Sequence, residues 1–163
     1  MPTLILMRHA KAATGRRDFT RPLAARGREQ AAHQAAPISQ RVGRIDLALV
    51  SAATRTMQTL AGLQSGGLAV DTERSEESLY GAGWREVLDL LREVPEDTGS
   101  VLVVGHEPTM SHTSVMLASE DSPAQSELQA GFPTATAAIG RVDSWAQLDA
   151  GGLFLSDVLR SAL

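Results

Sequence analysis

Three short runs are apolar without a break: Leu4-Ile5-Leu6-Met7, Leu47-Ala48-Leu49-Val50 and Val101-Leu102-Val103-Val104. A strand with one wet face alternates apolar and polar residues. A run with no alternation needs apolar neighbours on both faces. The stretches between these runs carry helical signals. Leu23 to about Val42 is rich in Ala, Gln, Arg and Glu, with Pro37 expected to kink it or start a new turn. Ser51 is a candidate N-cap for a helix over Thr54–Leu63. Trp84, Val87, Leu88 and Leu91 predict an amphipathic helix over Trp84–Glu93, and a further helix is predicted from Met110 to Ala118. Weaker strands are expected at Leu68–Val70, Thr134–Val142 and Trp145–Leu155; Ala13–Arg21, Pro95–Ser100 and Glu120–Gln129 read as loops. Buried strands alternating with helices predict a three-layer α/β/α fold around a mostly parallel central sheet.

The 163 residues suit one domain spanning 1–163, and 43% hydrophobic content supports a packed core. The formal charge of -4 and pI near 5.5 argue against a dedicated nucleic-acid binder. With no cysteine, disulfides, thiolate nucleophiles and cysteine-ligated metal centres are excluded. No apolar run is long enough to span a bilayer, and the N-terminal run is too short for a signal peptide, so a cytoplasmic protein without membrane partners is expected. Lys11 is the single lysine among 15 basic residues, the rest being arginine. Arginine abundance therefore carries no argument, and position must.

Position is informative, because ligands of parallel α/β sheets bind beyond the carboxyl ends of the strands. The first apolar run ends in Arg8-His9, the second in Ser51 with Arg55 one turn later, and the fourth predicted strand in Gly105-His106. Neighbouring parallel strands would bring two arginines and two histidines together. Arginine forks match phosphoryl oxygens with paired, charge-assisted hydrogen bonds. A neutral imidazole is a nucleophile near pH 7, and a second one can donate to charge growing on the phosphoryl oxygens. His112 follows His106 by six residues, not the four of helical zinc ligands, so neither a metal nor a cofactor is expected.

Arg8-His9-Ala10 resembles the RHG/RHA signature of the histidine phosphatase superfamily, also called phosphoglycerate mutase-like. Ser51-Ala52-Ala53-Thr54-Arg55-Thr56-Met57-Gln58-Thr59 resembles its SxxxRxxQT segment, and Val103-Val104-Gly105-His106 its late GH segment. Arg21-Pro22-Leu23 with Arg26-Gly27, and Phe132-Pro133-Thr134, are similar to the small SixA-like branch of phosphohistidine phosphatases. The resemblance implies a phosphoglycerate mutase-like fold and a phosphohistidine intermediate on His9. It further implies a phosphate pocket completed by Arg8, Arg55 and His106, and hydrolysis by water. Glu77-Ser78-Leu79-Tyr80-Gly81 resembles the segment that supplies a general acid in many relatives, making Glu77 the candidate acid. Arg21 is a further candidate for the phosphate. The chain departs from larger relatives at Ala12, where they carry Ser, and in its proline-free tail Ser156–Ser161.

His33, inside the Ala/Gln-rich helix, reads as a surface residue; Arg16 and Arg17 read as a solvated loop, and Lys11 as a surface lysine or an anion-steering one. The short chain leaves little room for a lid, which predicts an open pocket and a phosphate presented on a large partner. The expected partner is a phosphorylated protein, with phosphohistidine as the substrate group. Two alternatives stand beside it: a phosphomonoesterase acting on a small phosphorylated metabolite such as a sugar phosphate or nucleotide, and a phosphate-binding module without turnover.

Overall fold

The computed structural model describes residues 1–163. In chain order the elements are β1 (Thr3–Arg8), α1 (Ala25–Val42), β2 (Ile45–Ser51), α2 (Thr54–Ser65), β3 (Val70–Glu76), α3 (Trp84–Arg92), β4 (Ser100–Gly105), α4 (Thr109–Leu117), β5 (Ala137–Val142) and β6 (Leu153–Leu159). They build one six-stranded sheet in the order β3-β2-β4-β1-β5-β6. The first four strands of that order run parallel; β5 and β6 pair antiparallel.

The unbroken apolar runs fill both faces, as a covered sheet requires. Leu4 and Leu6 of β1, Leu49 of β2 and Val101 and Val103 of β4 point to one face, packed with Val87, Leu88 and Leu91 of α3 and Met110 and Leu117 of α4. Ile5, Met7, Val50, Leu102 and Val104 point to the other, against Ala31, Ala35 and Ile38 of α1 and Leu60 and Leu63 of α2. Small residues let α1 and α2 approach closely: a Cβ built on Gly62 would lie 2.6 Å from the Ala31 Cβ.

Several boundaries differ from those the sequence predicts. α1 starts at Ala25, because Leu23 forms an antiparallel bridge with Ala12. It also runs through Pro37 as a single helix. The amide missing there would have bonded the carbonyl of His33, an exposed residue. β3 extends to Glu76 although it is polar after Val70, since it is an edge strand held to β2 by main-chain pairing. The last strand begins at Leu153; Trp145 lies before it, fully buried, its indole N–H donating to the Thr98 carbonyl at 2.9 Å. Part of the predicted loop at Glu120–Gln129 is instead a 3-10 turn, Gln125–Ala130, anchored by buried Leu128. No helix is long and apolar enough to cross a membrane.

Candidate active site

Strand register decides which side chains meet. Arg8 pairs with Gly105, so the next residues, His9 and His106, emerge side by side from β1 and β4. The His9 amide donates to the Gly105 carbonyl at 3.0 Å, and the two imidazole centroids are 5.5 Å apart. Val50 of β2 pairs with Val104, which brings Ser51 and α2 to the same edge. The result is an open cleft of about 350 Å³ lined by Arg8, His9, Lys11, Arg21, Arg55, His106, Glu107 and Thr134.

Both histidines are nearly buried, at 7% and 9% exposure, and Arg55 is 6% exposed. The His9 Nδ1 lies 2.6 Å from the Ala10 carbonyl oxygen. A carbonyl only accepts, so Nδ1 carries the proton and Nε2 carries the lone pair. Burial pushes the His9 pKa down to about 4, with Arg55, Arg8 and Arg21 pushing the same way against the Ala10 hydrogen bond. Burial likewise takes His106 down to about 4, aided by Arg55, His9 and Arg21 and opposed by Asp18. Both imidazoles are therefore neutral at pH 7.

Arg8 is held by a 2.8 Å hydrogen bond from Nη1 to the Phe132 carbonyl, which accounts for the Phe132-Pro133-Thr134 segment beside the cleft. Burial lowers the Arg8 pKa and Glu107 opposes this. Three buried side-chain nitrogens of cleft residues lack a hydrogen-bond partner: Arg8 Nε, Arg55 Nε and His106 Nδ1. Buried polar atoms are normally paired, so this cluster is chemically distinctive.

Three polar side chains of the Ser51–Thr59 segment have a local reason. Ser51 is no N-cap: α2 is preceded by Ala53 without a side-chain cap, and the Ser51 Oγ lies 2.8 Å from His106 Nε2. The Gln58 Oε1 accepts from the Leu23 amide at 2.7 Å. The Thr59 Oγ1 accepts from the Ala10 amide at 3.0 Å and donates to the Arg55 carbonyl at 2.8 Å. The start of α2 thus fixes the loop carrying His9 and the loop entering α1.

Asp18 and Tyr80 belong to the site although the sequence pattern does not single them out. Arg55 donates through Nη1 to the Asp18 carbonyl at 2.7 Å and through Nη2 to its carboxylate at 3.1 Å. Arg21, on the cleft wall, pairs with the same carboxylate at 2.9 Å. The Tyr80 hydroxyl donates to it at 2.5 Å, and this bond is the leading cause of a lowered Asp18 pKa, with Arg55 and Arg21 adding to it. Tyr80 also sets its ring edge-on to His106, 5.5 Å between centroids, and Phe19 packs edge-on to Tyr80 at 5.0 Å. The available signals were the spacing of Asp18 three residues before Arg21 and the fact that Tyr80 is the single tyrosine.

The structure brings Arg8, His9, Arg55, His106 and Arg21 together. It does not bring Glu77 with them. Glu77 opens the 3-10 turn after the edge strand β3, is exposed, makes no side-chain hydrogen bond or ion pair, and does not line the cleft. The carboxylate that does line it is Glu107, whose two oxygens accept from the Ser111 amide at 2.7 Å and hydroxyl at 2.6 Å. No three His, Asp or Glu side chains form a metal-ligand cluster.

No protein-family model matches the chain. A Mycobacterium tuberculosis protein, itself uncharacterised, is 37% identical over 151 residues, 89% of this chain and 93% of that one. Among solved structures, a protein proposed to be the phosphohistidine phosphatase SixA of Nakamurella multipartitia is 34% identical. The match covers 99% of this chain and 97% of that one, with a TM-score of 0.87. A protein of Agrobacterium tumefaciens with the same proposed assignment is 32% identical over 97% of both chains, TM-score 0.78. The protein histidine phosphatase SixA complexed with tungstate shares the fold at 22% identity and a TM-score of 0.81. With these relatives matched almost end to end, the chain belongs to the histidine phosphatase superfamily, in its SixA-like part, and is an enzyme of the phosphatase class.

Proposed function

We propose that the protein is a metal-independent phosphohistidine phosphatase that works through a phosphohistidine intermediate on His9. The observation that carries this reading is the His9 tautomer: Nδ1–H donates to the Ala10 carbonyl, leaving Nε2 unprotonated in a cleft with two largely buried arginines. The Nε2 lone pair attacks phosphorus, and the bond from phosphorus to the substrate's imidazole nitrogen breaks. Its electron pair returns to that nitrogen, which takes a proton. Water then attacks phosphorus, the bond to Nε2 breaks with its electrons returning to His9, and inorganic phosphate leaves. Arg8 and Arg55 neutralise the transferring group through guanidinium donors, and His106 donates to an equatorial oxygen. An imidazole leaves more readily than an alkoxide, so the exposed position of Glu77 is compatible with this substrate class. The partner is then a protein carrying phosphohistidine, which an open cleft admits.

The test is phosphate release from a histidine-phosphorylated protein with EDTA present. Wild type should turn over unaffected by the chelator, and His9→Ala should lose at least about 10³-fold in kcat. Loss of activity with EDTA would remove metal independence from the reading. Release from phosphomonoesters with none from phosphohistidine would move the substrate to a small metabolite.

A further inference from the structure

Beside the phosphate cleft runs a second hollow of about 480 Å³, lined by Lys11, Arg26, Gln30, Thr134 and Arg160 together with Pro133, Ser161 and Leu163. Lys11 and Thr134 line both, so the two are adjacent. Lys11, Arg26 and Arg160 are all exposed, and none makes an ion pair with an acidic group. No acidic side chain lines the hollow. Three cations thus stand together on a chain whose net charge is -4.

The floor is stiff. Gln30 is buried, its Oε1 accepting from the Lys11 amide at 2.9 Å. Its amide nitrogen donates to the Thr134 hydroxyl at 3.2 Å and to a Leu163 oxygen at 3.1 Å. One side chain of α1 therefore joins the loop after β1, the loop before β5 and the segment after β6. The groups behind Arg55 and Arg21 are different in kind: Asp18 pairs with both arginines, and Tyr80 and Phe19 pack beside it.

We propose that this groove is a docking surface for an acidic segment of the phosphoprotein substrate, next to its phosphohistidine; the inference rests on the phosphohistidine reading above. Charge complementarity selects the occupant, and adjacency to the cleft, through the shared Lys11 and Thr134, sets its place. The exposed walls fit a partner's surface, whereas a metabolite site encloses most of its ligand. Arg26 and Arg160 lie outside the phosphate cleft, so they act on substrate choice and not on the chemistry.

The experiment compares wild type with the Arg26→Glu/Arg160→Glu variant on three substrates: a phosphohistidine peptide with an acidic flank, the same peptide with a neutral flank, and phosphoramidate. Wild type should prefer the acidic flank. The double variant should lose roughly tenfold in kcat/KM on that peptide through KM, and the preference should shrink with added salt. Its kcat/KM on phosphoramidate should match wild type, which also reports that the variant is folded. Equal use of the two peptides by wild type, or a loss shared by all three substrates, would overturn the docking surface while leaving the phosphatase reading in place. Absence of turnover on every phosphoramidate-type substrate by wild type would overturn both.

Discussion

Arg55 shows how much one side chain is asked to do. Two of its nitrogens grip Asp18, one through the main chain and one through the carboxylate, and its Nε remains buried without a partner. In the proposed reaction the same guanidinium also reaches a phosphoryl oxygen. Lysine keeps the charge but offers a single ammonium in place of a fork, so it cannot hold Asp18 and meet the substrate in one fixed plane. Arg55→Lys should therefore lose about 10²-fold in kcat/KM, the size expected for a misplaced transition-state donor. Steady-state kinetics on a phosphohistidine substrate checks this, and a loss under threefold would show that charge alone suffices. Arg8, His9, Arg55 and His106 were legible in the sequence because each follows a buried strand or its helix at a fixed offset. Asp18 and Tyr80 were not, because they meet Arg55 and His106 from a short 3-10 turn and from the end of another, where no periodicity marks them. Glu77 rests on the resemblance of its segment alone; the structure leaves it exposed, while Tyr80, three residues on, packs against His106.

At the scale of elements, the close approach of α1 to the loop after β1 is what keeps that loop beside His9. A Cβ on Gly27 would lie 2.0 Å from the Lys11 carbonyl oxygen and 2.9 Å from its carbon, both rigid main-chain atoms. In an open helix Gly→Ala stabilises by about 1 kcal/mol. Here the clash outweighs that gain, and Gly27→Ala should destabilise by about 1–3 kcal/mol and lower kcat as the Lys11 loop shifts. Urea unfolding with a kinetic assay reads both, and Gly81→Ala is the control, since nothing lies within 4 Å of a Cβ there. A Gly27→Ala protein as stable and active as wild type would show that α1 can draw back freely. The central strands and most helices were readable because burial on two faces or one imposes a pattern. The sequence pattern ends β3 at Val70 and starts β6 at Trp145, because an edge strand answers to main-chain pairing as much as to side-chain burial. Trp145 is buried outside any strand, and its apolarity mimicked one.

For the whole molecule, the site sets a link between pH and stability. Burial, reinforced by arginine charges, holds His9 and His106 at about 4 in the fold, below the ordinary 6.5. Between those values the unfolded chain binds protons that the native state does not. Stability that is fully present above pH 6.5 is thus lost as pH falls toward 4, and the slope flattens below that. The linkage is worth about 2 kcal/mol per histidine between pH 7 and pH 5. This window lies above the range where Asp18 contributes, because its lowered pKa confers stability that is lost only at more acid pH. Urea midpoints at pH 7 and pH 5 should show the drop in wild type and a smaller drop in His9→Asn, which has no proton to gain. Inorganic phosphate should also shrink the drop, because an anion between Arg8 and Arg55 offsets the cationic field and lets the imidazoles protonate in the fold. An unchanged slope in His9→Asn, with phosphate equally without effect, would mean that acid sensitivity arises elsewhere and that the cleft is less desolvated than its geometry requires.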